Sequence, residues 1–486
     1  MVAGSRAELL TRRSLMAGAA ALGGTMALAQ QLPTREGAVR AYRGIRYGRA
    51  ARFMPPEPVA FTPQVDAGFG PVCPQLGPYQ PQSEDCLFLN IWTAQPAHAR
   101  KPVMVYIHGG AYANGSVTDP LNHGAALATH GDVVVVTLNH RLNALGYLYL
   151  APLDARFADS GNAGQLDLIC ALHWVRRHIA AFGGDPHNIT LFGQSGGGAK
   201  IATLMGMPAA RGLFHKAITM SGQQVTVSGP QHAFERTQAY LAALGVRDVD
   251  ALLALPLAKL VEGLKTRDPV MGGALYFGPV LDMRNLTRHP FWPDTNPQSN
   301  MLPMMLGNTI CEARAFIPET SARVRGLNWD NLAARMAPEL NIDILPSWVV
   351  AQFREHYPTH SPQQIFYAAI TAARSWRGQV IEAEARAAAH TPTWVYQLDF
   401  ENAKHTDDIG LSFGTMPNPS AAQRVMSRTM MQAFTRFAQS GDPGWPRYTL
   451  RERATMIFDT HSHVAHDPRH WERELFARVP YIQPGS

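Results

Sequence analysis

Short apolar runs alternate along the chain with longer segments whose apolar residues recur every three or four positions. The short runs are typical of buried strands and the longer segments of helices packed on one face. The clearest strand-like runs are 103–108, 133–139, 189–193 and 304–307, and the clearest helical segments are 164–181, 197–205 and 421–439. This alternation predicts an α/β fold, with a mainly parallel central sheet flanked by helices.

Two stretches depart from this alternation. Residues 223–300 are less regular, and residues 328–390 are mostly helical in pattern. No internal repeat, low-complexity tract or Gly/Ser-rich linker divides the chain. We therefore predict a single domain over residues 30–486, in which these two stretches are insertions that form a helical cap over the sheet.

The composition supports a globular protein and gives no sign of a nucleic-acid partner. Hydrophobic residues make up 46% of the chain and charged residues 16%, which suffices for a sizeable core. The formal net charge of +6 is spread along the sequence, without a run of five or more basic residues. A solvated basic surface accounts for this charge.

The N-terminus has the features of an export signal. The pair Arg12 and Arg13 precedes an apolar run over 15–28, and Ala27-Leu28-Ala29 has the small residues of a cleavage site. The arginine pair favours the twin-arginine route. These features predict a cleaved signal over residues 1–29 and a periplasmic or secreted protein. Since no other stretch approaches about 18 apolar residues, we predict no membrane span in the mature chain.

The four cysteines are compatible with an oxidising compartment, in which a disulfide persists. Cys73 and Cys86 flank a segment rich in Pro, Gly and Gln, where a covalent link would restrain a loop without secondary structure. We predict a disulfide between these two residues. Cys170 lies in a helical pattern and is expected to be buried as an apolar residue.

The first chemical motif is Gly-x-Ser-x-Gly at 193–197, between an apolar strand and a predicted helix. This is the context of a nucleophile elbow. Gly193 and Gly197 allow neighbouring backbone to approach where a Cβ would clash. Ser195 would lie at a helix N-terminus, whose dipole favours developing negative charge, and is the predicted nucleophile.

A second glycine-rich turn, His108-Gly109-Gly110-Ala111, follows an earlier predicted strand. Acyl transfer through a tetrahedral intermediate requires amide donors aimed at the oxyanion, and such a turn can supply them. We predict that the backbone N–H groups of Gly110, Ala111 and Gly196 form the oxyanion hole.

Together these motifs resemble type-B carboxylesterases of the cholinesterase and carboxylesterase family, and the chain is similar to bacterial para-nitrobenzyl-type esterases. The resemblance covers nearly all of the mature chain. Besides the two motifs above, it rests on the segments 42–47, 84–90, 139–141, 182–186 and 441–446. It implies an α/β-hydrolase fold and a catalytic triad in the chain order Ser, acid, His.

The resemblance also selects the other two triad residues. Glu312 closes the segment 307–312, which matches the family's Gly-x-x-x-Asp-Glu except that Cys311 replaces the aspartate. Eight histidines follow Glu312, and His405 alone stands in a segment, 404–409, like the family's His-Thr-x-Asp-Ile. The resemblance therefore implies Glu312 as the acid and His405 as the general base.

Three further roles follow from the resemblance. It implies two structural ion pairs, Arg43 with Glu84 and Arg141 with Asp167. It also implies that Ser221 hydrogen-bonds the acid, although a helix-cap role for this serine is nearly as well supported.

Two residues beside the nucleophile depart from the family's pattern. Gln194 stands where glutamate is common, and Gly196 where alanine is common. A backbone N–H donor at 196 survives the second change. The missing carboxylate at 194 weakens any argument for cationic substrates.

The sequence thus predicts a serine carboxylic ester hydrolase that acts on a small-molecule ester through an acyl-enzyme, without metal or cofactor. Two alternatives stay open at this point. One is a non-catalytic binding or adhesion module on the same fold, and the other is an amidase or lipase, because one fold hosts several activities.

Overall fold

The structure is a computed structural model that describes residues 34–36, 38–61, 68–94 and 96–485. The predicted export signal, residues 1–29, lies outside them. In the described part of the chain, eleven strands form one sheet. They are β1 (Thr34–Glu36), β2 (Val39–Arg46), β3 (Phe88–Thr93), β4 (Lys101–Ile107), β5 (Val134–Leu138), β6 (Gly184–Gln194), β7 (Lys216–Met220), β8 (Met304–Thr309), β9 (Thr393–Leu398), β10 (Ala454–Phe458) and β11 (His463–His466).

The strand order is β1-β2-β3-β5-β4-β6-β7-β8-β9-β10-β11. Neighbouring strands run parallel from β5 through β4 and β6 to β10. The two margins are antiparallel. The predicted mainly parallel sheet is therefore confirmed, and the carboxyl ends of the parallel strands lie along one edge, where ligands bind in open α/β sheets.

Helices connect the strands. They are α1 (Ala125–Gly131), α2 (Asn143–Tyr147), α3 (Ala163–His178), α4 (Gly196–Gly206), α5 (Pro230–Leu244), α6 (Val249–Leu253), α7 (Leu257–Gly263), α8 (Ala313–Phe316), α9 (Leu332–Leu340), α10 (Pro346–His356), α11 (Pro362–Ile370), α12 (Arg377–Ala388), α13 (Asp407–Phe413), α14 (Ala421–Ser440) and α15 (His470–Phe476). A π-helical segment, Thr371–Trp376, joins α11 to α12.

The strands are buried on both faces, which explains their continuous apolar runs. Along β4, Val103 and Val105 join a core with α3 and α4, whereas Met104 and Tyr106 join a second core with α1 and α14. This division follows from the two-residue period of a strand, which sends successive side chains to opposite faces.

The two irregular stretches of the sequence differ in structure. Residues 223–300 contain α5 to α7 among irregular segments, and their apolar side chains join the core beneath α3 and α4. Residues 328–390 contain α9 to α12 and pack mainly around an apolar cluster of their own. The helical character predicted for 328–390 is confirmed. That residues 30–486 form one domain stays a prediction.

The predicted disulfide is absent, because Cys73 and Cys86 are buried free thiols. A hydrogen bond with Cys73 and burial raise the pKa of the Cys86 thiol well above its ordinary value. Cys73 Sγ also accepts a hydrogen bond of 3.2 Å from the Leu142 N–H. The two thiols therefore pack as small core side chains joined by a hydrogen bond, instead of a covalent clip. Cys170 is buried in α3, as predicted.

Of the two expected ion pairs, one is confirmed. Arg141 and Asp167 are buried, with Nη2 to Oδ1 at 2.7 Å and Nε to Oδ2 at 2.9 Å. The other expectation is wrong, since Glu84 binds Arg52 through Nε at 2.9 Å and Nη2 at 2.5 Å. Arg43 instead lies over the Phe69 ring, 5.6 Å from its centroid.

In the part of the chain that the structure describes, no helix has the length and apolar character needed to span a membrane.

Candidate active site

Ser195 lies in the sharp turn between β6 and α4. Its backbone has φ 54° and ψ −125°, a conformation that a residue with a side chain rarely adopts. Two contacts hold this turn, the Ser195 N–H donating to the Met220 carbonyl at 2.7 Å and the Ala199 N–H donating to the Ser195 carbonyl at 3.0 Å. The geometry is that of the predicted elbow, whose strain is sustained by its surroundings.

The glycines of the motif are required by close backbone packing. A Cβ on Gly197 would lie 2.0 Å from the Ile107 carbonyl oxygen at the end of β4. A Cβ on Gly193 would lie 2.7 Å from the Gly197 carbonyl carbon. Both contacts are too short for any side chain, so the strand and helix meet closely only because these positions are glycine.

The structure brings Glu312 and His405 together although 93 positions separate them. Glu312 follows β8, and His405 lies in the loop between β9 and α13. His405 Nδ1 donates a short hydrogen bond to Glu312 Oε2. Because both strands run parallel, their carboxyl ends place the two side chains at the same edge of the sheet.

The other oxygen of the Glu312 carboxylate is also satisfied. Oε1 accepts hydrogen bonds from Ser221 Oγ at 2.6 Å, the Thr309 N–H at 2.8 Å and Asn308 Nδ2 at 3.3 Å. Complete burial by itself would raise the pKa of Glu312, but attraction to His405 and the hydrogen bonds outweigh burial and lower this pKa below its ordinary value. The serine contact agrees with the role expected for Ser221.

The second ring nitrogen of His405 contacts Gln194. Gln194 Nε2 lies 3.2 Å from His405 Nε2. Since Nδ1 carries the proton donated to Glu312, the neutral ring presents a lone pair at Nε2, and the amide donates to it. Among the described residues, no hydrogen bond joins Ser195 Oγ to the imidazole. Ser195 and His405 nevertheless line the same cavity.

The predicted oxyanion turn has a left-handed backbone at Gly110 (φ 85°) and Ala111 (φ 52°). The Gly110 carbonyl closes the turn by accepting from the N–H groups of Ala113 and Asn114, each at 3.1 Å. Ala111 and Gly196 line the cavity beside Ser195. Gly196 is the first residue of α4, where backbone N–H groups have no partner within the helix and stay available to a ligand.

The glycine at 196 has a physical reason. A Cβ there would lie 2.0 Å from the Ala111 carbonyl oxygen and 2.4 Å from Ala111 Cα. The oxyanion turn thus occupies the space that an alanine side chain would need. The departure from the family's pattern at 196 is therefore linked to the position of the Ala111 carbonyl.

The cavity over Ser195 has a volume of about 180 Å³. Its walls come from distant parts of the chain, which include Tyr276, Phe316, Arg374, Ser375 and Gln483. Among the described residues that line it, none is an aspartate or glutamate, and Arg374 and His405 are the basic side chains. Phe316 also packs against His405, with ring centroids 4.6 Å apart.

A residue that the motifs did not predict lies directly behind the site. Lys200 on α4 is fully buried, and its Nζ donates to the Ala111 carbonyl at 2.7 Å. Burial lowers the pKa of Lys200 to about 7. The available signal was a lone lysine in an otherwise apolar, glycine-rich helical segment, 196–206.

The chain is similar to known proteins over most of its length. A family model described as "Carboxylesterase family" matches residues 24–474. The para-nitrobenzyl esterase of Bacillus subtilis (strain 168) is 32% identical over 481 residues, which covers 91% of this chain and 95% of that protein. Phenmedipham hydrolase of Pseudarthrobacter oxydans is 29% identical and covers 88% of each chain.

Solved structures are similar over the same extent. The Geobacillus stearothermophilus carboxylesterase EST55 at pH 6.2 has a TM-score of 0.82 and 32% identity, covering 91% of this chain and 97% of that one. A structure named PNB esterase has a TM-score of 0.79 and 33% identity, with the same coverage. These likenesses confirm the predicted α/β-hydrolase fold and the resemblance on which it rested.

Proposed function

Because the chain belongs to the carboxylesterase family and is a serine carboxylic ester hydrolase, we propose that it works through a Ser195–His405–Glu312 triad and an acyl-enzyme. The observation that carries this proposal is the hydrogen bond from His405 Nδ1 to Glu312, beside a cavity that Ser195 also lines. Base and orienting acid are thus paired next to a serine held in an elbow.

In the first half of the cycle, Ser195 Oγ attacks the ester carbonyl carbon while its proton passes to His405 Nε2. For this transfer, the Gln194 amide releases the Nε2 lone pair that it contacts in the free enzyme. Glu312 stabilises the imidazolium through Nδ1. Catalytic hydrogen bonds often tighten only in the substrate complex, so the free enzyme need not show a hydrogen bond between Ser195 Oγ and His405 Nε2.

The developing oxyanion would accept from the N–H groups of Gly110, Ala111 and Gly196. Collapse of the tetrahedral intermediate breaks the bond to the alkoxy group, which leaves as the alcohol with the proton from His405. Water then attacks the acyl-enzyme by the same route, and the acid is released with Ser195 regenerated.

The cavity supports a small ester as substrate. Its volume of about 180 Å³ lies below the roughly 300–1,000 Å³ of drug-sized ligand sites. Its walls carry polar side chains at Gln223, Gln224 and Gln483 and the positive Arg374. We expect short acyl or alcohol groups to be favoured, and cationic alcohols to have no advantage over neutral alcohols of the same shape.

The test is labelling of the intact protein with a fluorophosphonate, followed by mass spectrometry. One adduct on Ser195 is expected, and none on the Ser195→Ala variant. A non-catalytic binding module would remain unlabelled. Hydrolysis rates for a para-nitrobenzyl ester, a long-chain triglyceride and an anilide then distinguish an esterase from a lipase and an amidase. The para-nitrobenzyl ester should be hydrolysed fastest by a wide margin.

We further propose that the protein is exported, on the basis of Arg12, Arg13 and the following apolar run. N-terminal sequencing of protein from a periplasmic extract should begin near residue 30. Protein that retains Met1 and stays in the cytoplasm would contradict export without affecting the catalytic proposal.

A further inference from the structure

Lys200 is an unusual residue for its position. It lies one turn into α4, five residues after Ser195, and its side chain is fully buried. A buried ammonium group is costly unless it is paired or hydrogen-bonded. Among the described residues, no carboxylate forms an ion pair with Lys200, and burial is the cause that lowers its pKa to about 7. A structural ion pair therefore does not explain why a lysine is buried at this position.

The hydrogen bonds of Lys200 Nζ are made to the oxyanion turn. Nζ donates to the Ala111 carbonyl at 2.7 Å and to the His108 carbonyl at 3.4 Å. It also lies 5.0 Å from the centroid of the Tyr112 ring, within the range of a cation–π contact. One side chain thus joins three residues of the turn that follows β4.

The groups around Lys200 add no competing charge. His108 and His140 stack with ring centroids 4.8 Å apart. Burial and then the nearby Lys200 lower the pKa of His108 to about 3, and the same causes lower the pKa of His140. Both imidazoles are therefore neutral near pH 7. Whether Lys200 is an ammonium or a neutral amine, its Nζ retains N–H donors for the two carbonyls.

The turn that Lys200 contacts needs external support. Ala111 has φ 52°, a left-handed conformation that is strained for a residue with a Cβ. Such a conformation persists where its surroundings over-determine it. The Ala111 carbonyl oxygen accepts the hydrogen bond from Lys200. The same oxygen lies 2.0 Å from the point where a Cβ on Gly196 would be. Fixing this carbonyl fixes the orientation of Ala111 against the N-terminus of α4.

From these contacts we infer that Lys200 is a positioning residue for ester hydrolysis, which holds Ala111 so that its N–H and that of Gly196 converge on the oxyanion. The inference rests on the proposed function. Lys200 is not among the residues that line the cavity, and it acts through the Ala111 carbonyl. Since oxyanion contacts strengthen in the transition state, its loss should appear in kcat more than in KM.

The test compares Lys200→Met with Lys216→Met. Methionine keeps an unbranched side chain, one heavy atom shorter than that of lysine, but cannot donate a hydrogen bond. Lys216 is also buried, but it lies at the opposite end of β7 from Met220 and its ammonium group bonds Asn188 on β6. This control therefore removes a buried lysine away from the turn. The readouts are kcat, KM and the affinity for a trifluoromethyl ketone, whose adduct with a nucleophilic serine carries an oxyanion.

Lys200→Met should lower kcat and ketone affinity together, on the order of tenfold to a hundredfold, with KM within about twofold of the parent. Lys216→Met should leave both unchanged. Lys200→Gln, which restores an N–H donor, should recover part of the loss and also serves if the methionine variant does not fold. Unchanged ketone affinity in folded Lys200 variants, or equal losses in Lys216→Met, would overturn the inference.

The failure of the proposed function would look different. In that case the parent enzyme would form no ketone adduct at Ser195, and Ser195→Ala would turn over esters as fast as the parent. A parent that is active through Ser195 and a Lys200→Met variant with parental constants would reject the positioning role alone.

Discussion

The side-chain amide of Gln194 donates to His405 Nε2 across 3.2 Å, on the ring nitrogen opposite the one that binds Glu312. The imidazole is thus held between an anion at Nδ1 and a neutral donor at Nε2. This contact uses the lone pair of a deprotonated Nε2. Position 194 therefore bears directly on the base.

Gln194→Glu should move the acidic limb of the kcat/KM profile to higher pH. A carboxylate in contact with the ring favours the imidazolium, so the base becomes neutral only at higher pH. The measurement is a pair of pH–rate profiles on one neutral ester, since this limb reports the free enzyme. An unchanged limb would show that residue 194 does not face the base in solution.

The same relationship predicts the parent's substrate preference. With an amide at 194 and no aspartate or glutamate among the described lining residues, the cavity lacks a carboxylate partner for a quaternary ammonium group. A choline-type ester and its neutral isostere should therefore have similar kcat/KM values at one pH. A strong preference for the cation would contradict this account of the cavity.

Glu312→Gln should lower kcat by on the order of 10³ to 10⁴, because the ring would lose its orienting anion. Glu384→Gln is the matched control, as Glu384 lies on α12 and binds Arg453 at 3.0 Å, outside the cavity. Its kcat should match the parent's. Comparable losses in both variants would indicate a general effect of removing a carboxylate, and Glu312 would lose its assigned role.

Glu312 also contributes to stability in a pH-dependent way. Its pKa is lowered in the folded protein, so its stabilising contribution is complete above the ordinary glutamate pKa and is lost as pH falls through the lowered pKa.

Lys200 also makes stability depend on pH. Folding lowers its pKa from 10.5 to about 7, so between these pH values the unfolded chain binds more protons than the folded protein. The contribution of Lys200 to stability therefore rises with pH across that range.

The Lys200→Met variant tests the predicted rise of the Lys200 contribution to stability with pH. Its stability relative to the parent should be greatest at or below about pH 7, where the parent buries an ammonium group, and the advantage should shrink toward pH 10. Thermal melts of both proteins between pH 6 and 10 measure the difference. A constant difference in Tm across this range would show that Lys200 does not titrate as its burial indicates.

Gly196→Ala should damage catalysis, although alanine is common there in the family. The new Cβ would lie 2.0 Å from the Ala111 carbonyl oxygen, so the oxyanion turn would have to move. We expect kcat to fall at least tenfold with little change in KM, since the loss concerns donors used in the transition state. Steady-state kinetics on a short ester measure this. Parental kcat would mean that the turn adapts without cost.

Short local motifs supplied most of what could be predicted from the sequence. The elbow around Ser195 and the turn at Gly110 are short motifs whose geometry follows from glycines between a strand and a helix, and the resemblance supplied Glu312 and His405. The contact of Lys200 with Ala111 depends on how α4 meets the turn after β4, which no periodicity encodes. Arg374 and Gln483 reach the cavity through long-range packing of segments without a repeating pattern.

The two errors have the same origin. Cys73 and Cys86 flank a loop as a disulfide pair would, but the fold places both thiols in the core, joined by a hydrogen bond. Glu84 was matched to Arg43 by resemblance, whereas Arg52 binds it and also donates to the Leu253 and Leu255 carbonyls in the first insertion. Partner choice in each case depends on insertions and loops whose packing this sequence does not display.

A pre-steady-state burst experiment, with an ester whose acyl-enzyme hydrolyses slowly, observes the covalent intermediate itself. Catalysis through Ser195 predicts a burst of about one alcohol per protein molecule, an acyl group on Ser195 by mass spectrometry of the quenched protein, and neither signal in Ser195→Ala. A burst that survives in Ser195→Ala, or an acyl group on another residue, would contradict it.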